Sequence, residues 1–330
     1  MMNVVEIEST KRIRTLLSNY KFGGGHYCYN IDLLTKISDG PYRMINLLKG
    51  EGALIYYTVY EDNVPIIIAP IFKKNDELFV AGGSVGFDFT DLFYSSVVDN
   101  NKLLAGMRCL LGYLKTEGFC KLRWDFLAFN STSIELLNTM GMVPKGEVDN
   151  VCIMFDSYKD YLGGLSKNVR QNLRTAENRL LRENKNHTLL NNIEKQLPNE
   201  IVEQCVNLYC KRQKEKYRKN FISQFMIKTI NFQSQMMYQQ KGTFFVFMID
   251  DEVAAFMFGY QCERSLEIPK LAIDDKFGFY SPGMILVNKT IEFLSTETDI
   301  KCLDLCRGTE IYKLRMGGKV YKTYNYLLDL

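Results

Sequence analysis

Apolar and polar positions alternate in two stretches of the chain that follow the same order. From Ala53 to Tyr60 (ALIYYTVY) a β-rich apolar run leads into the turn Glu61-Asp62-Asn63 and a second apolar run from Val64 to Phe72. That pattern predicts a hairpin. In the second half, Thr243 to Ile249 (TFFVFMI), the turn Asp250-Asp251-Glu252 and Val253 to Gln261 repeat it. Each hairpin continues to a third strand (Glu77 to Ala81; Ser265 to Ile273), a loop, a helix (Asn101 to Thr116; Pro282 to Thr296) and a last strand (Lys121 to Leu127; Ile300 to Cys306). Two copies of one α/β unit is the economical reading.

Between the copies, Tyr158 to Asn184 has helical periodicity, with Leu162, Leu165, Val169, Leu173, Ala176 and Leu180 spaced by three or four residues. Helices are also predicted from Asn199 to about Arg218 and from Phe221 to Gln239, ahead of the first strand of the second copy. The expected architecture is α/β (α+β), two tandem units, each a mixed and mostly antiparallel sheet flanked by helices. The expected boundary separates residues 1–156 from 157–330.

Length agrees with a duplication, because 330 residues exceed what one hydrophobic core usually supports. The 41 basic and 38 acidic residues leave a net charge of +3, which excludes a uniformly basic surface for DNA and disfavours RNA. A polyanion site must then be local. Only two histidines occur, His26 and His187, and no Cys, His, Asp or Glu grouping has zinc-ligand spacing, so neither a metal site nor a Ser-His-Asp triad is expected. Nine scattered cysteines read as reduced thiols of the cytosol. The charged segment Met1 to Arg14 lacks the apolar stretch of a signal peptide, and no apolar window reaches transmembrane length. A cytoplasmic location is expected, with room for association with membrane-bound biosynthetic enzymes; oligomeric state is left open.

Three segments carry candidate chemistry. In DDKFGFYSPGMIL (Asp274 to Leu286), Ser281 suits an N-cap, Pro282 the first helical position, and Gly283 a close backbone approach by a ligand. Free N–H groups there would hold a pyrophosphate; the alternative is a plain helix start. In LDLCRGTEIYK (Leu303 to Lys313), Asp304 ends a strand, Arg307-Gly308 turn, and a short helix begins at Thr309. Strand ends in α/β sheets are where ligands bind, although a surface Asp304–Arg307 pair and a solvated lysine explain the segment as well. Along the basic helix, Lys167, Arg170 and Arg174 fall at i, i+3 and i+7 on one face, fit either for phosphate or for solvent. In the first copy, GGSVGFDFTDLF (Gly82 to Phe93) has no SPG helix start. That copy is expected to have lost donor binding and to shape an acceptor pocket with Asp88 and Asp91, or simply to turn. Trp124 and Asp125 align with Leu303 and Asp304 in this reading, with Trp124 in the core. Gly23-Gly24-Gly25-His26 resembles a phosphate loop only superficially.

The element order, together with YLGGLSKNVRQNLRTAENRLLREN (Tyr161 to Asn184), YSPGMILVNKTIEFL (Tyr280 to Leu294) and LDLCRGTEIYKLRMGG (Leu303 to Gly318), resembles the BioF2-like or CelD-type acetyltransferases. These form a tandem GNAT group related in fold to the FemAB peptidyltransferases, and the resemblance covers roughly Asn46 to Tyr324. It implies acyl transfer from acetyl-CoA or another acyl-CoA to an amine or hydroxyl of a small molecule, a sugar, or a polysaccharide or envelope precursor. It maps Tyr280, Ser281, Pro282, Gly283, Arg307 and Gly308 onto the donor site and Asp304, Tyr312 and Lys313 onto catalysis. Asp88, Asp91, Lys167, Arg170 and Arg174 fall to the substrate side. The implied mechanism is direct attack by the acceptor amine, with Asp304 taking its proton and Tyr312 or Lys313 protonating the thiolate or stabilising the oxyanion. Cys306 stands where a small residue is usual in the family, and a ping-pong route through it lacks a nearby histidine. Two other readings are a FemAB-like transferase using aminoacyl-tRNA and a non-catalytic GNAT scaffold.

Overall fold

Both expected hairpins form, and they match in backbone detail. The structure is a computed structural model that describes residues 1–23, 52, 54–74, 77–81, 88–216 and 242–330. The expected helix over 221–239, the glycines at 24 and 25, His26, and residues 82–87 lie outside the described residues.

The chain begins with β1 (Met2–Ile7), α1 (Thr10–Asn19), β2 (Phe22–Gly23), β3 (Leu54–Glu61), β4 (Val64–Lys74), β5 (Glu77–Val80) and β6 (Phe93–Ser95). There follow α2 (Asn100–Thr116), β7 (Lys121–Ala128), α3 (Thr132–Thr139), β8 (Gly146–Met154), α4 (Tyr158–Gly164), α5 (Lys167–Arg182), β9 (His187–Asn191) and α6 (Asn199–Lys216). The second hairpin is β10 (Thr243–Ile249) and β11 (Glu252–Cys262), then come β12 (Ser265–Ile273), a 3-10 helix (Asp275–Tyr280) and α7 (Pro282–Glu297). Last are β13 (Cys302–Arg307), α8 (Ile311–Arg315) and β14 (Lys319–Asp329).

The two hairpins turn on Asp62-Asn63 and Asp250-Asp251, all four with positive φ (47°, 68°, 49° and 65°). This is the two-residue turn whose twist suits β-strands, and Asp and Asn tolerate its left-handed backbone. Each hairpin also bulges at the same place. Ile66 is the extra residue between the pairs Val59↔Ile67 and Tyr60↔Pro65, and Ala254 between Phe247↔Ala255 and Met248↔Val253. A third shared irregularity lies in β7 and β13, where Phe126 (φ 62°) and Cys306 (φ 56°) mark a bulge between Trp124 and Leu127 and between Asp304 and Arg307. The bulges align Trp124 with Asp304, one residue away from the sequence-based match. The first copy therefore has a fully buried tryptophan where the second has a carboxylate.

The chain divides into two compact units, Met1–Asp149 with Lys322–Leu330, and Asn150–Tyr321. The expected split at 156 and 157 differs from this at both ends. Asn150 to Met154 pair with β13, and Thr323 to Asp329 pair with β7, so each unit takes its closing strand from beyond the midpoint that the repeat suggests. In the first unit, α2 buries Leu103, Met107, Leu110 and Leu114 on a sheet face that includes Ile67, Ile71, Leu122 and Trp124. In the second, α5 and α7 bury Leu173, Leu180, Ile285 and Ile291 against Phe245, Phe247, Met257 and Leu303.

The single helix expected over 158–184 is two. Gly163-Gly164 disfavour continuation, and the Ser166 hydroxyl caps α5 by accepting from Val169 N at 3.3 Å. Among the described residues no helix is long and apolar enough to cross a membrane.

Candidate active site

The parallel strands β12 and β13 pair only over Ser265–Glu267 and Cys302–Asp304, then separate. The cause lies in β11. Phe258 faces Lys270 and Tyr260 faces Glu267, so Ile268 and Pro269 stand against the single residue Gly259. Proline has no N–H to lose at a bulge. Gly259 is required there, because a Cβ would lie 1.8 Å from the Glu267 carbonyl oxygen. Beyond Glu267, β12 is free of β13 and runs toward the start of α7, where Ile273 closes on Gly283 so tightly that a Cβ on the glycine would meet Ile273 Cδ1 at 2.4 Å. Gly283 thus serves strand–helix packing, a different reason from the ligand approach expected of it.

The helix start itself has no side-chain cap. Ser281 is left-handed (φ 52°, ψ 49°) and its side chain does not cap the helix, contrary to expectation; Pro282 follows, and the first turn carries no acidic residue. The Met284 and Ile285 amides are taken by the Ser281 carbonyl (3.0 and 3.3 Å), and with neither a capping side chain nor a carboxylate against it the dipole of α7 favours an anion. The Tyr280 hydroxyl donates to Glu183 at the end of α5, and this bond, with burial, raises its pKa. Arg179 strengthens the same junction by donating to the Phe279 carbonyl at 2.7 Å, with its guanidinium 4.6 Å from the Phe279 ring.

Asp304 sits at the fork between β12 and β13, 7% exposed. Its Oδ1 accepts the bulge amide of Cys306 at 2.7 Å and its Oδ2 accepts the Tyr321 hydroxyl at 2.5 Å. In the first unit the equivalent amide, Phe126 N, donates to Asn325 Oδ1 instead, at 2.9 Å. A bulge amide needs an acceptor, and only the second unit meets that need with a carboxylate. Glu267, 1% exposed, is the register partner of Asp304 across the parallel pair. Burial and then the Asp304 charge push the Tyr321 hydroxyl well above its usual range, so it stays protonated. Tyr312 is pushed up to about 12 by burial, then by Glu310, against the opposing pull of Arg212.

The Lys313 ammonium is held by the turn after β13. Only 4% exposed, its Nζ donates to the carbonyls of Arg307 (2.7 Å), Gly308 (3.1 Å) and Cys306 (3.4 Å) and pairs with Glu310 at 2.9 Å. It staples the turn after β13. Arg307 and Gly308 enter this staple through their carbonyls. Arg170 is likewise committed, since Nη1 donates to the Leu162, Gly163 and Leu165 carbonyls at the end of α4 (3.2, 3.2 and 2.5 Å). Lys167 and Arg174 are exposed on α5. Asp91, expected in an acceptor pocket, is 5% exposed and accepts from Ser131, Ser133 and the Leu92 amide, tying the segment to the start of α3. Asp88 is buried as well. Sequence reasoning missed Tyr321 and Glu267. Glu267 carried a signal, a lone acid inside the apolar run Leu266 to Ile273; Tyr321 is one of three tyrosines in KVYKTYNY with nothing to mark it out. Among the described residues no group of His, Cys, Asp or Glu is arranged to hold a metal ion.

Two tandem units of this topology define the GNAT acyltransferase fold in duplicate. Residues 167–314 match the family model described as acetyltransferase (GNAT) domain. Full-length structural similarity agrees. It extends to a tandem GNAT protein from the clavulanic acid biosynthesis pathway (TM-score 0.53, 9% identity, 100% of this chain and 98% of that one). It extends also to L-PGS from Bacillus licheniformis (0.56, 12%, 97% and 91%) and to FemX (0.53, 10%, 99% and 97%). At such identities the likeness is one of fold. No curated protein matches the sequence.

Proposed function

We propose that the chain is an acyl-CoA-dependent N-acyltransferase whose second unit binds the donor. The observation that carries this reading is the split between β12 and β13, which runs from Asp304 toward the uncapped N-terminus of α7. The fork offers unpaired strand edge to the amides of a pantetheine arm, and α7 offers its dipole to a pyrophosphate. The acceptor amine attacks the thioester carbonyl, Asp304 takes the amine proton, and Tyr312, protonated at neutral pH, donates to the departing thiolate. Lys313 has no part in that step, because its donors are spent on the turn. Tyr321 holds the Asp304 carboxylate in place. The acceptor is an amine on a small molecule, a sugar or an envelope precursor, and transfer takes place in the cytoplasm.

The test is a panel of acyl-CoA thioesters scored by thermal shift, followed by thiol release in the presence of amines. Stabilisation with amine-dependent thiol release is expected. Stabilisation without turnover would favour a binding scaffold. Transfer from aminoacyl-tRNA with no response to any acyl-CoA would replace this donor assignment.

A further inference from the structure

The register of β8 and β13 sets Cys302 opposite Met154 and Asp304 opposite Cys152, so the Cys152 and Cys302 side chains are diagonal neighbours on one face. Both thiols are only partly buried, unlike Cys205, Cys262 and Cys306. We propose that Cys152 and Cys302 form a redox modification site that a peroxide converts to a disulfide. Cys152 is the attacking thiol. Cys302 beside it holds its pKa below the usual thiol value, with Lys319 adding to the effect and burial and Asp304 opposing it. Cys302 is shifted the other way, by Cys152 and by burial, and so keeps its proton as the resolving thiol. Burial pushes Cys205 and Cys210 up, which leaves them poor nucleophiles.

In the first step the Cys152 thiolate attacks the outer peroxide oxygen, the O–O bond breaks, and Cys152 becomes a sulfenic acid while the alkoxide or hydroxide leaves and takes a proton. In the second, the Cys302 sulfur attacks the sulfenic sulfur, the S–O bond breaks, and water carries off the oxygen and the Cys302 proton. Two thiols are oxidised and one peroxide is reduced. Diagonal neighbours on paired strands lie roughly 7–8 Å apart between Cα atoms, whereas a disulfide wants roughly 4.4–6.8 Å, so closing the bond draws β8 and β13 together beside Asp304. The loss of acyl transfer that follows rests on the function proposed above; the modification itself does not.

The experiment treats the full chain with one equivalent of hydrogen peroxide and reads peptide masses under non-reducing conditions. A peptide pair joined through Cys152 and Cys302, about 2 Da lighter than the two thiols and separated again by dithiothreitol, is expected. Cys302→Ser should leave a sulfenic acid on Cys152 that dimedone traps, and Cys152→Ser should abolish the joined pair. The proposal is overturned if no joined pair forms at that dose, or if dimedone labels another cysteine of Cys302→Ser while Cys152 stays unmodified. Either result is read without any assay of transfer.

Discussion

Tyr321 donates its hydroxyl to Asp304 at 2.5 Å, and this bond places the carboxylate at the fork between β12 and β13. The other carboxylate oxygen accepts the Cys306 amide, so the side chain is fixed at both ends. Asp304→Asn should lower kcat by about 10²–10⁴-fold, the usual worth of a general base, with little change in donor affinity. Tyr321→Phe keeps the amide bond and removes only the orienting hydroxyl, so a smaller loss is expected. Equal activity of Asp304→Asn and the parent in a saturating-substrate assay would remove Asp304 from the mechanism.

Lys313 separates a catalytic from a structural role. Its ammonium serves three carbonyls and Glu310, and Lys313→Met would remove all four bonds from the turn after β13. A stability loss of about 2–4 kcal/mol is expected in urea unfolding. Turnover per folded molecule should fall less than that of Asp304→Asn. The opposite ranking would return Lys313 to the chemistry.

What the sequence made legible is the part of the fold that repeats. The paired hairpins, the Asp/Asn turns and the helices at 100–116 and 282–297 each follow from local alternation, turn chemistry or a Pro at a helix start. The unit boundaries do not, because β8 and the segment from Lys322 onward find partners far away in the chain, and local pattern carries no information on pairing. Of the site, Asp304 and the SPG segment stood out, but the roles of Arg170 and Lys313 did not. A basic residue that caps carbonyls and one that grips phosphate have the same spacing in sequence, and only the turn each one closes tells them apart.

Gly259 tests the origin of the fork. Its absent Cβ is what lets the Glu267 carbonyl approach, so Gly259→Ala must push β12 off its bulge. A loss of at least 1–3 kcal/mol, typical of overpacking at roughly this scale, is expected together with weakened donor binding. Gly112→Ala is the matching control: it lies in α2 with nothing within 4 Å of the added carbon, and should stabilise by up to about 1 kcal/mol. Chemical denaturation of both variants checks the pair.

At the start of α7 the expectation is electrostatic. Ser281→Asp puts a carboxylate where the first turn has none, and should repel a pyrophosphate from the helix N-terminus. The KM for donor should rise about tenfold, kcat should hold, and added salt should narrow the difference as screening sets in. An unchanged KM in the mutant at low ionic strength would move the anion site elsewhere.

Alkaline stability follows from the buried tyrosines. In the folded chain Tyr312 is raised to about 12 and Tyr321 further, burial being the first cause in both, whereas an unfolded tyrosine titrates near the ordinary 10.0. Below that value both states are protonated and the contribution is fully present. Between pH of about 10 and 12 the unfolded chain loses these protons and the folded chain keeps them, so unfolding becomes easier as pH rises. Urea midpoints measured across this interval should therefore fall, and the slope should be shallower in Tyr312→Phe, which removes one of the groups responsible. A slope identical to that of the parent would mean that Tyr312 titrates in the folded chain as it does in the unfolded one, and would also remove the reason for treating it as a protonated donor at neutral pH.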